Sequence, residues 1–488
     1  MDDFILVQRA PRSIPLPSAS SGPFPLAASS NGRYLVNAQG QPFYLQCISA
    51  QGMSQQSVAD VTTFLSTMSS LGFNAVQWDL APGAGGYVTS GGGTISYNNY
   101  GTLDGLYAFV GNGFIPSPFN GNSSVNAAYW SRMDTFVQLC ATYGMWCILN
   151  PMQTGSEGNF EGFATADCTA YTAWVANRYK SYKHVAYQFG NDYGGSFDAQ
   201  VAAMMLGVQE TAPAGTLITM EMNYTPSDST ALDDANFRSY VNWTGNYSYY
   251  VTFWYSLVSY LQSPAAFAGV TGTNKTPTPC PSTMLEANYE YENNVGNPGN
   301  RLNLRQQAWW TLCSGVFGQQ YGNGFLSTGF EVNVGSNIQV TGYNNTSPRW
   351  KNNMATPGVA DLTVQRNFLS TIAWQNLVPD NAHTVGTAGY GSNPTAATGF
   401  AATNYITVSA TPDGTLALAY FIYGQTGTLT VAMSHFAGSV TARWLDPTNG
   451  AFTAISGSPF SNTGTHNFVP TSNNANGDPD WVLVLTAP

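Results

Sequence analysis

Apolar residues in the first three quarters of the chain recur in two alternating patterns. Stripes spaced by three and four residues, such as Val58, Val61, Phe64 and Leu65, are typical of helices that pack one face against a core. Short apolar runs between these stripes are typical of buried strands. We predict strands over 43–49, 74–79, 145–149, 184–189, 217–222, 283–286 and 318–325, and helices over 58–71, 126–143, 165–182, 197–210, 304–317 and 361–377.

Strands that alternate with helices predict a parallel sheet. The pattern is blurred in the ring-rich segment 237–262, although a sixth strand and a helix fit there. Eight strand–helix repeats are the number found in a (β/α)8 TIM barrel, here with loop insertions such as 81–122. An open doubly wound sheet is the alternative, but no Gly-rich phosphate loop follows an early strand. We therefore predict an α/β fold of the TIM-barrel type.

The pattern changes after residue 385. Helical stripes disappear, and short β-rich runs recur between Gly, Asn and Pro turns, which predicts a smaller β-sandwich. Before residue 31, a Pro-, Ser- and Ala-rich stretch without periodicity predicts a surface arm. We divide the chain into an N-terminal arm (1–30), a barrel (31–384) and a C-terminal β-sandwich (385–488), with sandwich strands expected at 404–409, 416–423, 429–434, 440–445 and 481–485.

Charged residues make up only 8% of the chain, against roughly a quarter in an average soluble protein. The net charge of −11 and the lack of any basic cluster argue against binding to nucleic acid or to an anionic membrane. No apolar run is long enough to span a membrane. The four histidines are scattered and the six cysteines lack metal-binding spacing, so we expect neither a metal nor another cofactor.

A surface rich in Asn, Thr, Ser, Gly and Tyr is suited to a secreted protein that handles neutral polymers. We therefore expect a monomer in an extracellular or periplasmic location. The Met-Asp-Asp start is unlike a signal peptide, so export would need a leader that has been replaced, or another route. This start and the extended first thirty residues leave association with a virion as an alternative.

Against this low charge, three carboxylates within residues 286–292 are unusual. Glu286 ends the apolar run of the predicted seventh strand, and Asp192 follows Asn191 after the fourth. Because active sites of TIM barrels lie at the carboxyl ends of the strands, Asp192 and Glu286 should face the same open end of the barrel, which we call the mouth. Two carboxyl groups across a cleft are the apparatus of glycoside hydrolysis, in which one donates a proton while the other attacks or stabilises the sugar.

Each of these assignments has an alternative. Asp192 precedes Tyr-Gly-Gly and could simply form a turn. Glu290 is an alternative to Glu286 as the catalytic glutamate. We prefer Glu286 because it directly ends the apolar run, and we expect Glu290 to hold a neighbour by a hydrogen bond. Glu221 could also line the site, and the ring-rich segments 97–107 and 247–255 could supply sugar platforms. The predicted substrate-binding residues are Asn191, Asp79, Asn150, Gln153, Asn223, Tyr249, Tyr289, Glu290 and Tyr321.

Four stretches of the chain resemble the apiosidase-like glycoside hydrolases, which are similar to the clan of retaining glycosidases built on (β/α)8 barrels. These stretches are 32–43, 286–290, 318–323 and 377–380. The segments 442–450 and 480–485 resemble a module with a collagen-binding label that such enzymes often carry. In this family an Asp is the acid/base and a Glu is the nucleophile, and the resemblance implies these roles for Asp192 and Glu286.

The chain departs from the family pattern at two places. The family usually has Pro after its nucleophile, where this chain has Ala287, and a Trp after strand 1, where it has Gln51-Gly-Met53. The subsite for the non-reducing sugar is therefore expected to differ, and apiose cannot be assumed as the substrate. We predict a retaining glycoside hydrolase that acts on a plant or microbial polysaccharide. The alternative is a carbohydrate-binding or virion-associated protein on the same scaffold with little or no turnover.

Overall fold

A computed structural model describes most of the chain from residue 22 onward. Most of the predicted arm therefore lies outside the described residues. Its last part is packed, because Leu26 is buried and Ala27–Ala28 pairs with Leu35–Val36, which pairs in turn with Pro42–Phe43. The described segments are 22–81, 86–88, 94–96, 101–112, 115–153, 163–223, 230–249, 252–261, 280–294, 297–327, 343–346, 348–391, 404–422 and 428–488.

Eight parallel strands form the first large sheet. They are β1 (Leu45–Ser49), β2 (Ala75–Asp79), β3 (Trp146–Asn150), β4 (Val185–Tyr193), β5 (Ile218–Met222), β6 (Thr244–Tyr247), β7 (Ser282–Glu286) and β8 (Gly318–Tyr321). Their order is β5-β4-β3-β2-β1-β8-β7-β6. The N–H groups of Asn242 and Trp243, just before β6, donate to the carbonyl of Ile218 in β5 over 3.1 and 3.3 Å. The edge strands therefore meet, and the sheet forms the predicted barrel.

The helices surround this barrel. They are α1 (Val58–Ser70), α2 (Ala127–Thr142), α3 (Thr165–Tyr179), α4 (Asp198–Thr211), α5 (Thr252–Leu261), α6 (Arg301–Cys313), the one-turn α7 (Arg349–Asn352) and α8 (Pro357–Leu369). α6 and α8 begin about one turn before their predicted starts, because Asn300 and Thr356 cap polar first turns that lack an apolar stripe. Among the described residues, none of these helices combines the length and apolarity needed to cross a membrane.

The strand and the helix that fit segment 237–262 are present, as β6 (Thr244–Tyr247) and α5 (Thr252–Leu261). Two other predicted elements differ from the structure. The helix predicted over 361–377 ends at Leu369. The eighth strand was predicted to reach residue 325 but ends at Tyr321. The residues that follow Tyr321 are also buried, but side-chain contacts rather than sheet pairing hold them. Burial of this kind cannot be distinguished from a buried strand in the sequence. Short antiparallel pairs lie in the loops, at Gly86–Val88 with Thr94–Ser96 and at Asn293–Asn294 with Asn297–Pro298.

The C-terminal part is a two-sheet antiparallel sandwich. Its strands are β9 (Val378–Pro379), β10 (Gly386–Ala388), β11 (Thr407–Ala410), β12 (Leu416–Phe421), β13 (Leu429–Ala432), β14 (Thr441–Leu445), β15 (Phe452–Ala454), β16 (Thr465–Phe468) and β17 (Trp481–Thr486). The sheets have the orders β9-β11-β12-β17-β14-β15 and β10-β13-β16. The larger sheet already begins at β9, a few residues before the boundary that we placed at 384.

The larger sheet is buried on both faces. In β12, Leu416, Leu418 and Tyr420 pack in the cluster shared with the barrel, whereas Ala417 and Phe421 pack inside the sandwich. Alternate residues of a strand face opposite sides, so one apolar run serves both cores. Trp309 of α6 stacks on Tyr420 at 6.1 Å between ring centroids. The barrel and the sandwich therefore share a continuous apolar interface.

A buried ionic cluster lies at the edge of this interface. Arg305 of α6 is 1% exposed and donates to Asp361 of α8 at 2.7 Å. The same guanidinium donates to Asp480 at 2.7 and 2.6 Å and to Asp478 at 2.9 Å, just before β17. Tyr420 also donates to Asp480, at 2.8 Å. One arginine thus neutralises carboxylates from both domains.

We predict that Arg305→Met destabilises the whole protein by about 3–5 kcal/mol, because it leaves buried carboxylates without their cation. Urea unfolding would measure this loss. The matched control is Arg301→Met: Arg301 also pairs with Asp361 but is 26% exposed, so its loss should cost much less. Equal midpoints for Arg305→Met and the native protein would show that this cluster does not join the domains.

Candidate active site

Three carboxylates meet at the carboxyl ends of the barrel strands. Asp192 lies near the end of β4, Glu221 in β5 and Glu286 at the end of β7. One oxygen of each lies within 4.8 Å of the others. The structure therefore brings together Asp192 and Glu286, as the sequence predicted, and adds a third acid between them.

A bulge in β4 presents Asp192 to the mouth. Phe189 pairs with Met220 of β5, and the next pair is Tyr193 with Met222, so three residues of β4 lie opposite Glu221 alone. These three, Gly190, Asn191 and Asp192, have φ values of 103°, 63° and 64°. Positive φ is uncommon for residues other than glycine and marks a backbone held by its surroundings. Gly190 is required here, because a Cβ at this position would lie 2.0 Å from the Glu221 carbonyl oxygen.

Tyrosine hydroxyls surround Glu286. Tyr289 donates to Oε2 at 2.8 Å, and Tyr249 donates to Oε1 at 3.3 Å. Tyr247, the last residue of β6, hydrogen-bonds to both Asp192 and Glu286. Both oxygens of Glu286 are thus held by donors. This fixes the orientation of the carboxylate in a site where it is only 5% exposed.

The predicted polar residues of β2, β3 and β4 form one cluster beside the acids. The Asn191 amide donates to Asp79 at 3.1 Å and to Gln153 at 2.7 Å. The Asn150 amide donates to the same Asp79 oxygen at 2.9 Å. These bonds use the amide nitrogens. The amide oxygens of Asn150 and Asn191 are buried and have no hydrogen-bond partner among the described residues. They therefore remain as acceptors at the base of the mouth.

Burial raises the pKa values of all three acids, and neighbouring charges raise those of Glu221 and Glu286 further. Burial raises the pKa of Asp192, against a smaller lowering by the Tyr247 hydrogen bond. The pKa of Glu221 is raised to about 8, first by burial and then by the charge of Asp192. Burial raises the pKa of Glu286 well above its usual range, and the charges of Asp192 and Glu221 raise it further. The group therefore retains protons at pH values where free carboxyls are ionised.

Glu290 and Tyr321, both predicted to bind substrate, lie in a separate hydrogen-bonded group. Tyr321 and Thr356 each donate to Glu290 Oε2 at 2.5 Å, and the Gly358 N–H donates to Oε1 at 2.9 Å. Glu290 thus accepts hydrogen bonds at the N-terminus of α8, where a negative charge is favourable. This arrangement matches our expectation that Glu290 holds a neighbour and leaves Glu286 as the acid of the mouth.

The remaining candidates occupy varied positions. Asn223 follows β5, and its N–H donates to the Tyr193 carbonyl at 3.0 Å. Of the proposed platform segments, residues 97–100 and the Trp254 side chain lie outside what the structure describes. Asp192, Glu221 and Glu286 are the group of acids, histidines or cysteines in the described part of the chain that could hold a metal ion. Their ligands would all be oxygens, which suit hard cations.

Tyr247 and Glu221 belong to the site but were absent from our list of predicted substrate-binding residues, although we considered Glu221 as a residue that could line the site. Tyr247 belongs to the ring-rich segment 247–255, but its position at the end of β6 was hidden by the blurred pattern. Glu221 is the penultimate residue of β5, where a polar residue suggests a mouth-lining role without fixing it. The signal in both cases was a polar residue near a strand end.

Comparison with known families supports this description. Residues 29–376 match the model of the family described as "Apiosidase-like, catalytic domain". Residues 397–486 match the "Putative collagen-binding domain of a collagenase". The first match covers more than half of the chain. A search of curated proteins finds no match.

Solved structures share the fold over nearly the whole chain. A glycoside hydrolase family 5 protein from Bacteroides vulgatus has a TM-score of 0.73 at 18% identity, over 94% of this chain and 93% of the other. A second structure, described as a glycoside hydrolase, has a TM-score of 0.72 at 17% identity, over 95% and 97%. Identities this low show the fold alone, whereas the family match includes the strands that carry the acids. The chain therefore belongs to the apiosidase-like family of glycoside hydrolases.

Proposed function

We propose that this protein is a retaining glycoside hydrolase with Glu286 as nucleophile and Asp192 as acid/base. The observation that carries this proposal is the approach of their carboxyl oxygens to within 4.8 Å. Retaining enzymes hold the two carboxyl groups about 5–5.5 Å apart, whereas inverting enzymes leave about 6.5–9.5 Å for a water molecule. The short separation leaves no room for that water and supports a covalent intermediate.

The roles follow from the hydrogen bonds of each acid. Glu286 accepts from Tyr249 and Tyr289, and such donors favour the carboxylate that attacks the anomeric carbon, against the burial and the charges of Asp192 and Glu221 that raise its pKa. Burial raises the pKa of Asp192, and this favours the protonated form that is needed to release the leaving oxygen. Once the sugar esterifies Glu286, its charge is lost, and Asp192 can ionise and activate the water that completes turnover.

The surroundings of the site support a neutral sugar as the bound unit. In the described part of the chain, the ion pairs of Arg and Lys involve aspartates outside the mouth. A substrate carboxylate would therefore meet acids rather than a cation. We propose that the substrate is a plant or microbial polysaccharide or oligosaccharide with a neutral unit at this position.

The first prediction separates the two acids. Asp192→Asn should lose at least about 10²-fold in kcat on substrates with poor leaving groups, which need the proton. With an activated aryl glycoside it should still form the glycosyl-enzyme, and azide should restore turnover with retained configuration because azide needs no base. Glu286→Gln should show neither behaviour. Product release measured by chromatography and NMR would check these outcomes.

Two results would contradict this assignment. If Asp192→Asn cleaved activated and ordinary substrates equally well, Asp192 would not be the acid. If the protein bound polysaccharides but released no sugar from any of them, the carbohydrate-binding alternative would replace the enzyme. Glu290→Gln is the matched control, because it alters a buried glutamate of the same segment whose hydrogen bonds lie outside the mouth.

The pH–rate profile should be bell-shaped. Activity falls at low pH as Glu286 gains a proton, and at high pH as Asp192 loses one. Both pKa values are raised in the folded protein, so both limbs should lie above about 3.9–4.3, where free carboxyls titrate. Asp192→Asn should lose the alkaline limb for glycosylation by activated substrates. An unchanged alkaline limb would assign it to another group.

A further inference from the structure

The β4 bulge has a main-chain donor that the sheet does not use. At a regular position, the N–H of Asp192 would bond to a neighbouring strand, but the bulge directs it toward the interior. Glu221 Oε1 accepts this N–H at 3.1 Å. A buried N–H without an acceptor costs about 1–3 kcal/mol, so this contact stabilises the bulge itself. The residue that meets the donor is the one that lies opposite the bulge in β5.

Glu221 is itself fixed from a second direction. Its Oε2 accepts from the Gln188 amide of β4 at 3.1 Å, and Gln188 in turn accepts from the Gln320 amide of β8. All three side chains are buried. Glu221 is therefore tied to β4 and, through Gln188, to β8, and it has one oxygen left for the Asp192 N–H. It is a fixed support behind the bulge rather than a mobile group in the mouth.

We propose that Glu221 is a positioning residue, which fixes the left-handed backbone of Asn191 and Asp192 and so places the acid/base and the adjacent amide on the substrate. This inference rests on the proposed function of Asp192. It assigns no proton transfer to Glu221, although one of its oxygens lies within 4.8 Å of both other acids. The backbone contact, rather than the carboxyl charge, is the part of Glu221 that activity should require.

The reason is geometric. Asn191 and Asp192 hold positive φ angles that their side chains do not favour, so the segment should relax when its support is removed. A misplacement of about 1 Å in a catalytic group can cost about 10²-fold in rate. The cost should appear in kcat more than in KM, because Asp79 and Asn150 keep the hydrogen bond between them when Glu221 is replaced.

Four variants test this proposal. Glu221→Gln keeps an oxygen for the Asp192 N–H, and the Gln188 and Gln320 amides can turn over to pair with its nitrogen. Glu221→Asp keeps the carboxyl group but is one methylene too short, and Glu221→Ala removes the acceptor. Thr219→Val is the matched control, since Thr219 is buried two residues earlier on the same face of β5. Thermal unfolding would confirm that each variant folds.

We expect kcat on substrates with poor leaving groups to fall about 10–100-fold in Glu221→Asp and Glu221→Ala, with KM within about threefold. Activated aryl glycosides should lose less, because they do not need the proton of Asp192. Glu221→Gln should stay within about threefold of the native kcat, and Thr219→Val should equal it.

Other results would overturn the inference. If Glu221→Gln lost as much as Asp192→Asn and azide restored it, Glu221 would be the acid/base. If Glu221→Asp and Glu221→Ala kept native kcat, or if Thr219→Val lost as much as they did, no positioning role would exist. Asp192→Asn and Glu286→Gln are measured in parallel. Full activity in those two would refute the proposed function, whereas their inactivity beside a fully active Glu221→Ala would refute only this inference.

Discussion

The crowding of three carboxylates in one buried mouth is the constraint on which the site depends. Their oxygens approach within 4.8 Å, and like charges this close in a poorly hydrated place cannot all be ionised. The group must therefore hold protons at working pH. In a retaining mechanism this sharing is useful, because one acid must be protonated while its neighbour is ionised. Burial, and the repulsion between the acids after it, oppose ionisation at this mouth.

The protein treats its other buried carboxylates differently. Asp361 and Asp480 accept hydrogen bonds from the guanidinium of Arg305. Glu290 accepts hydrogen bonds from two hydroxyls and a main-chain N–H. Those carboxylates join elements of the fold: two domains in the first case, a loop and a helix in the second. The mouth acids are supplied with hydroxyl and amide donors but no cation among the described residues. This contrast distinguishes two kinds of buried carboxylate in a chain with only 8% charged residues.

The domain interface adds rigidity to the barrel behind the site. α6 packs against both the barrel and the sandwich, and its Trp309 and Arg305 contact β12 and the turn before β17. α6 also follows the segment that carries Glu286 and Glu290, and the acid cluster of the described residues contains no residue of the sandwich. An accessory role of this kind fits a module that stabilises the barrel while the chemistry stays at the strand ends.

The sequence alone determined the larger features. The spacing of apolar residues predicted the barrel and the sandwich, because burial of one helix face or of a whole strand requires apolar residues at regular positions in the sequence. The positions of Asp192 and Glu286 at strand ends followed from that fold. Tertiary structure alone decided the bulge of β4, the contact of Glu221 with the Asp192 N–H and the hydroxyl of Tyr247 between two acids. These features depend on register and on side chains far apart in the chain, and local patterns carry no information on either.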